Sequence, residues 1–218
     1  REVVEQAGYE LLLLEKYTCK QQLLDAVADV DALIIRSDNV DAEVLDAAKN
    51  LKIVVRAGAG YDNVDLVAAS AKDVVVMNTP GQNSNAVAEL AMGMMIYMSR
   101  NKFVPGTGFE LQGKTVGIHA YGNVGRLVAR KAKAFGMNVI AYDPFVTDKA
   151  LFENDGVVAV GSVEELYAAS DFLSLHIPAT AQTKKSIGYK LLMSMPKGAT
   201  LVNTARKEVI DEVGLEAA

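Results

Sequence analysis

The stretch "GIHAYGNVG", Gly117 to Gly125, decides how the rest of the chain is read. Its last six residues follow the spacing G-x-G-x-x-G, with Ala120 where the first glycine would stand. That pattern is weak alone and gains meaning from its surroundings. The run "KTVGI" leads into it as a strand, and a helical pattern leads out from about Val124. Asp143 closes the next apolar run, roughly 20 residues beyond Gly122. A strand, a glycine loop, a helix, and a second strand ending in a carboxylate form a dinucleotide-binding arrangement.

Each position has a mechanical task. Gly122 lets the backbone approach a pyrophosphate, and Gly125 lets the helix pack closely on the strand. The free N–H groups of the first helical turn, at Asn123 and Val124, and the helix dipole hold the phosphates. Ala120 supports the tight turn, and its methyl group is tolerated there if φ stays negative. Asp143 can accept hydrogen bonds from both hydroxyls of the adenosine ribose and repels a 2′-phosphate, which favours NAD over NADP. The plainer alternative, an Asp that only opens a turn before Pro144, stays open.

The chain around this loop has 218 residues, enough for two small domains. It is 50% hydrophobic and 22% charged, an ordinary globular balance. A net charge of −5 argues against a nucleic-acid partner while permitting a local cationic pocket. Cys19 is the only cysteine, so a disulfide framework is excluded and a reducing, cytoplasmic compartment fits. No cluster of ligand type and spacing points to a metal. The longest apolar run, "AVAELAMGMMIYM" (86–98), contains Glu89 and is short for a membrane span, so no membrane partner is expected. Both ends read as cut: "REVVEQAG" resembles the second half of a helix, and "DEVGLEAA" an acidic helix start.

Apolar runs alternate with helical patterns along the whole chain. The runs "YELLLLE" (9–15), "DALIIRS" (31–37), "LKIVVRAG" (51–58) and "DVVVMNTP" (73–80) read as buried strands with helical segments between them. A second series follows, with strands at "KTVGIHA" (114–120), "MNVIAYD" (137–143), "GVVAV" (156–160), "DFLSLHIP" (171–178) and "ATLVNTA" (199–205). Near-continuous apolar strands separated by helices imply parallel sheets covered on both faces. The turn cluster "TPGQNSN" (79–85) marks a boundary, giving domains at 1–82 and 83–218. The helix expected over 86–100 is apolar nearly all round and must be buried in a seam or a subunit interface.

Four stretches in order carry a family resemblance: "VVRAGAGYDNVD" (54–65), "MNTPGQNSNAVAEL" (77–90), "GKTVGIHAYGNVGRLVA" (113–129), and "LSLHIPAT" (173–180) through "LVNTARKEVIDE" (201–212). With them the chain resembles the D-isomer-specific 2-hydroxyacid dehydrogenases, and within that family its phosphoglycerate-oxidising branch. The resemblance implies two doubly wound parallel-sheet α/β domains, a flavodoxin-like substrate domain and a Rossmann NAD-binding domain, with the active site in the cleft between them. It implies NAD as cofactor and a small-molecule 2-hydroxy acid, phosphorylated in that branch, as substrate. It also implies a homodimer through the helix after Asn85, and a late returning helix that this chain lacks.

Residue by residue, Arg206 matches the family's catalytic arginine; a planar fork there can anchor a carboxylate and polarise a carbonyl. Ala120, Gly122, Asn123, Val124, Gly125, Asp143, His176, Pro178, Thr204 and Ala205 fall along the cofactor. Ala57, Gly58, Ala59 and Gly60 match the carboxylate-binding loop, where small residues let backbone N–H groups converge on an anion. Arg56 resembles the arginine turned toward a substrate phosphate, with Arg36 a weaker candidate of the same kind. A surface role remains open for both Arg56 and Arg206, and plain packing for His176. His119 reads as structural. The family's acid/base histidine and its glutamate partner match no residue here; Glu208 and Glu212 are not substitutes, and Lys207 stands where much of the family has glycine. Two other functions compete: reduction of glyoxylate, hydroxypyruvate or another short 2-oxo acid, and a nicotinamide-sensing binding protein without turnover.

Overall fold

The computed structural model describes residues 1–218, which divide into two compact units, Arg1–Asn83 and Ser84–Ala218. Helix α1 (Glu2–Gln6) opens the first unit. Helices α2 (Lys20–Val27), α3 (Ala42–Ala47) and α4 (Leu66–Ala71) then alternate with strands β1 (Ala32–Ile35), β2 (Ile53–Arg56) and β3 (Val75–Asn78). The strands are parallel in the order β1-β2-β3, with Ile34 opposite Val55 and Val55 opposite Met77. Asp41 and Asp65 start α3 and α4 by accepting the N–H groups of Val44 (3.1 Å) and Ala68 (2.9 Å).

One face of this sheet is packed and the other is open. Ile35 and Val54 join Leu23, Val27, Val44 and Leu45 in the core, whereas Ile34 is 61% exposed and Met77 52%. The expectation of a sheet covered on both faces is therefore corrected for this unit. So is the strand at 9–15: the segment has no ladder partner, and Tyr9, Leu12, Leu13 and Leu14 are exposed. An apolar run becomes a strand only where a neighbouring edge takes its N–H and C=O groups. No strand of β1-β2-β3 lies beside this run.

The second unit begins with helix α5 (Ser84–Ser99), continues through a short 3-10 turn at Asn101–Phe103, and builds a five-stranded sheet. The strands are β4 (Thr115–His119), β5 (Asn138–Tyr142), β6 (Val158–Ala159), β7 (Phe172–Leu175) and β8 (Thr200–Asn203). Between them lie α6 (Asn123–Ala134), α7 (Ala150–Asp155), α8 (Val163–Ala168) and α9 (Tyr189–Ser194), and α10 (Glu212–Ala217) follows. All strand pairs are parallel, in the order β6-β5-β4-β7-β8.

The chain runs outward from β4 in one direction through β5 and β6, then in the other through β7 and β8. The crevice at the carboxyl ends of β4 and β7 is thus a topological switch point, where open α/β sheets bind ligands. Covering both faces makes β7 wholly buried, Phe172 through Leu175. On one side Val116, Ile118, Val139 and Phe172 pack with Ala88, Ala91, Met92 and Met95 of α5 and Val128 and Ala132 of α6. On the other, Leu173 and Leu175 pack with Leu166, Tyr167 and Ile187. The all-round apolar α5 buries only one stripe; Leu90, Met94, Tyr97 and Met98 stay exposed. No helix is long and apolar enough to cross a membrane.

Candidate functional site

The glycine loop lies at the switch point, between the end of β4 and the start of α6. Ala120 N–H donates to the Tyr142 carbonyl (2.9 Å), tying the loop to β5. Gly122 is the N-cap of α6, and no side chain caps that helix. The first-turn N–H groups, those of Asn123 and Val124 among them, therefore have no intrahelical acceptor and point at whatever binds there.

The two glycines differ physically. A Cβ on Gly125 would stand 2.3 Å from the Ala120 carbonyl oxygen and 3.0 Å from Ile118 Cγ2, so this glycine is required by the fold. A Cβ on Gly122 would meet nothing within 4 Å. Nothing in the chain needs Gly122 bare, and the open space over it leaves room for a ligand to approach the backbone.

Ala120 departs from the sequence expectation. Its φ is +78°, not negative, so the methyl group sits in the region that glycine occupies freely. This corrects the expectation that φ at Ala120 stays negative, and the methyl group is strained there. Ala120→Gly is expected to stabilise the unit by about 1 kcal/mol, the left-handed penalty less the extra chain entropy of glycine. An unchanged urea midpoint would count against that account.

Asp143, directly after β5, has both carboxylate oxygens engaged. Oδ2 accepts the Tyr121 N–H (2.8 Å) and Oδ1 the Phe145 N–H (2.9 Å). A carboxylate has about four acceptor positions, so two remain for a ribose diol. This is more than a turn before a proline, since one of the two bonds reaches back into the glycine loop.

At the carboxyl ends of β4 and β7, His119 and His176 form a small polar cluster. His119 Nδ1 is 3.2 Å from the Tyr167 hydroxyl, and His176 Nε2 is 2.9 Å from the Ser174 hydroxyl. Burial pulls the His119 imidazole down to about 4, against the opposing charge of Asp143. Burial also brings His176 to about 4, helped by neighbouring His119. Both rings are neutral at pH 7.

Unfolded histidines take up protons near pH 6.5, and the folded ones only near 4. Stability is full above 6.5 and is lost as pH falls through the interval below it. Between pH 6.5 and 5 the loss should be roughly 1.5 kcal/mol per histidine. Urea titrations of wild type and His176→Gln should show that slope and its reduction.

Further along the same sheet edge, Thr204, Ala205 and Arg206 follow β8. Asn203, the last strand residue, organises them. Its Oδ1 accepts the Ala205 N–H (2.9 Å) and its Nδ2 donates to the Arg206 carbonyl (2.9 Å). Arg206 is half-buried, and its Nη1 donates to the Ala205 carbonyl (3.0 Å). Thr204 Oγ1 is buried without a hydrogen-bond partner in the chain. Buried hydroxyls rarely stay unpaired, so this one fits a ligand contact. Pro178 is exposed just past β7, and its carbonyl accepts the Thr183 hydroxyl.

Open space over Gly122, uncapped N–H groups, spare acceptor capacity on Asp143 and the orphaned Thr204 hydroxyl together fit a dinucleotide.

In the first unit, the loop after β2 is tied down at several points. Ala57 N–H donates to the Ile35 carbonyl and Gly58 N–H to the Arg56 carbonyl, both at 2.8 Å. Asn78 Nδ2 donates to the Ala59 carbonyl (2.7 Å), and Thr79 N–H to that of Gly58 (3.0 Å). The N–H groups of Ala59 and Gly60 make no bond within the chain, so two of the four expected donors remain for an anion. Arg56 donates its Nε to the Arg36 carbonyl (3.1 Å). Its guanidinium covers Gly58, with Nη1 1.4 Å from where a Cβ would stand. Arg56 is thus partly used by the fold, and Arg36 is linked to it through a backbone carbonyl.

Sequence reasoning missed Asn203, Asn78 and Tyr121. An Asn at a strand end followed by small residues is the one local signal that could have found the first.

The glycine loop after β4 and the carboxylate after β5 define a dinucleotide-binding α/β fold. Residues 93–218 match the D-isomer specific 2-hydroxyacid dehydrogenase, NAD binding domain, and the chain belongs to that family. It is 40% identical over 212 residues to D-3-phosphoglycerate dehydrogenase of Methanocaldococcus jannaschii, an alignment covering 90% of this chain and 40% of that protein. It is equally 40% identical over 220 residues to hydroxypyruvate reductase of Thermotoga maritima, covering 94% of this chain and 70% of that one. Among solved structures it resembles NAD+-bound 3-phosphoglycerate dehydrogenase of Entamoeba histolytica. The TM-score is 0.91 at 46% identity, over 99% of this chain and 68% of that one. The chain therefore spans less than half the length of the first of these curated relatives.

Proposed function

We propose that the chain serves an NAD-dependent D-2-hydroxyacid dehydrogenase that oxidises 3-phosphoglycerate to 3-phosphohydroxypyruvate, a step in serine biosynthesis. The observation that carries the reading is Arg206, set by Asn203 on the same sheet edge as the glycine loop. A binding module that only senses dinucleotide needs no such cation. The names of the phosphoglycerate dehydrogenase relatives supply the substrate.

Bound NAD supplies the hydride acceptor. The chain's own residues do the rest of the work assigned here. Gly122, Asn123, Val124 and Gly125 hold the pyrophosphate, and Asp143 holds the adenosine ribose and disfavours a 2′-phosphate. Ala120, His176, Pro178, Thr204 and Ala205 line the cofactor, with the Thr204 hydroxyl free to bond it. Arg206 anchors the substrate carboxylate and draws charge toward the carbonyl oxygen, where it develops in the transition state. In the first unit, the Ala59 and Gly60 N–H groups of the loop spanning Ala57 to Gly60 are left as donors for an anion. Arg56 turns to the substrate phosphate. We assign the proton transfer to neither His119 nor His176, because burial lowers both imidazoles to about 4 and so makes them weak bases, and both rings are held by Tyr167 and Ser174.

Two further features belong to this reading. The exposed stripe Leu90, Met94, Tyr97 and Met98 recurs at helical spacing on α5 and suits a second copy of the chain, giving a homodimer. A two-subunit mass in sedimentation equilibrium is the expected result. The single exposed cysteine suits the cytoplasm.

A second reading is favoured by Arg56 itself. Its bond to the Arg36 carbonyl would have to break, or be shared, for it to reach a phosphate. Hydroxypyruvate or glyoxylate reduction needs no such group. The test follows NADH consumption with 3-phosphohydroxypyruvate, hydroxypyruvate, glyoxylate and pyruvate in parallel. Preference for the phosphorylated acid that collapses in Arg56→Ala supports the phosphoglycerate reading. Preference for a small unphosphorylated acid moves the protein to the reductases. Retained NADH binding without turnover of any of them points to a sensor.

A further inference from the structure

Tyr121 lies inside the glycine loop, between Ala120 and Gly122, and its side chain is buried in the core. It is 1% exposed and stacks on Phe152 of α7 with ring centroids 4.6 Å apart and planes at 23°. Its hydroxyl donates to Asp155 Oδ2 (3.0 Å). Asp155 is anchored in turn by α6. Arg126 Nε donates to Oδ2 (3.0 Å), and Arg130 donates Nε and Nη2 to Oδ1 (3.2 and 3.1 Å). Lys133 Nζ reaches the carbonyls of Asp155 and Gly156 (2.9 and 3.0 Å). Arg126, Arg130 and Lys133 fall on one face of α6, so the Asp155 corner is clamped along the helix.

The same tyrosine donates its backbone N–H to Asp143 Oδ2. One residue thus joins two carboxylates, Asp155 through the ring and Asp143 through the main chain. Burial pushes the Asp155 carboxyl up, but the bonds from Arg126, Arg130 and Tyr121 outweigh it and keep the group ionised. Burial keeps the phenol protonated, hence a donor. A phenylalanine would fill the same space against Phe152 without making either the charged bond or the link to α6.

We propose that Tyr121 is a positioning residue for nucleotide recognition: its bond to Asp155 fixes the loop against α6 and thereby aims Asp143 at the adenosine ribose. The inference rests on the reading that Ala120–Gly125 and Asp143 bind the dinucleotide. The path runs from α6 through Asp155 and Tyr121 to Asp143, and every link is a hydrogen bond given above. Freed from Asp155, the loop keeps its backbone bond to Asp143 but no longer holds that carboxylate at a fixed place. Recognition of the ribose then loses the pre-organisation that a rigid second layer provides.

The experiment measures NADH dissociation constants by fluorescence titration for wild type, Tyr121→Phe, Asp143→Ala and the double variant of the whole chain. Tyr121→Phe should weaken NADH binding on the order of tenfold, the scale of losing one hydrogen bond to a charged group. In the Asp143→Ala background the same change should cost less than about twofold, because its effect passes through that carboxylate. Equal weakening in both backgrounds would mean general loosening of the loop and would overturn the proposal, as would no weakening at all. Should Tyr121→Phe fold poorly, Arg130→Gln removes a partner of Asp155 whose side chain is 57% exposed. It should weaken binding by a smaller factor with the same dependence on Asp143, and independence from Asp143 would again sink the idea. If wild type binds no NADH, the dinucleotide reading itself fails. If wild type binds, Asp143→Ala binds more weakly and Tyr121→Phe binds as well as wild type, only the positioning role fails.

Discussion

Replacing Arg206 with alanine in the protein carrying this chain is expected to lower kcat/KM for the 2-oxo acid by about a thousandfold. The magnitude follows from the role proposed for the fork: a preorganised donor aimed at developing charge accounts for a factor of this order when it is removed. Two observations argue that Arg206 is preorganised. Asn203 bonds both the residue before it and its own carbonyl, and the half-buried guanidinium is tied to the Ala205 carbonyl. Arg206→Lys should recover only part of the loss, since an ammonium keeps the charge without the planar two-point geometry. NADH affinity should hardly change in either variant. Steady-state kinetics beside an NADH titration separate the two effects. A variant that loses cofactor binding and turnover together would place Arg206 in the fold rather than at the reacting carbon.

Asn203→Ala gives the same argument a second handle without touching the cation. The turn that presents Arg206 would lose both of its side-chain bonds. Turnover should then fall by a smaller factor than in Arg206→Ala, with the charge still present.

How much of this was legible in the sequence depends on whether the deciding force is local. The second unit's strands were readable because burial on both faces writes an unbroken apolar run, as in Phe172–Leu175. The same rule misled at Leu11–Leu14, because an apolar run states a preference for burial and says nothing about whether a partner edge is present. It also overreached at Ile34 and Met77, whose side chains share the open face of the first sheet. Asp143 could be placed by spacing alone, since the strand and helix lengths between it and Gly122 are set by geometry. The sign of φ at Ala120 could not, because it depends on how the loop turns to meet Tyr142. The phosphate role of Arg56 is implied by the family resemblance alone, with a surface role left open. The bond from Arg56 to the Arg36 carbonyl joins two strand ends 20 residues apart, and no local pattern carries that. Asp155 lay wholly outside the sequence reading. Its importance comes from convergence of Tyr121, Arg126 and Arg130 in three dimensions.

The two glycines of the loop make the sharpest separation between fold and ligand. Gly122→Ala should fold like wild type, because φ is −84°, an ordinary value for alanine, and a Cβ there meets no atom of the chain. Its stability should stay within about 0.5 kcal/mol of wild type, as for other substitutions that touch nothing. NADH affinity, in contrast, should fall by about a hundredfold, since the added methyl group stands where the pyrophosphate must approach the backbone. Gly125→Ala should fail in the opposite way. A methyl group 2.3 Å from a backbone carbonyl cannot be relieved by turning a side chain, so α6 must move off β4. Overpacking of that kind costs roughly 1–3 kcal/mol or more. The denaturation midpoint should drop along with NADH binding, and the two losses should track each other as temperature is lowered. Near-normal NADH affinity in a well-folded Gly122→Ala would mean that the open space over this residue serves no ligand, and the dinucleotide site would have to be sought elsewhere on the sheet edge.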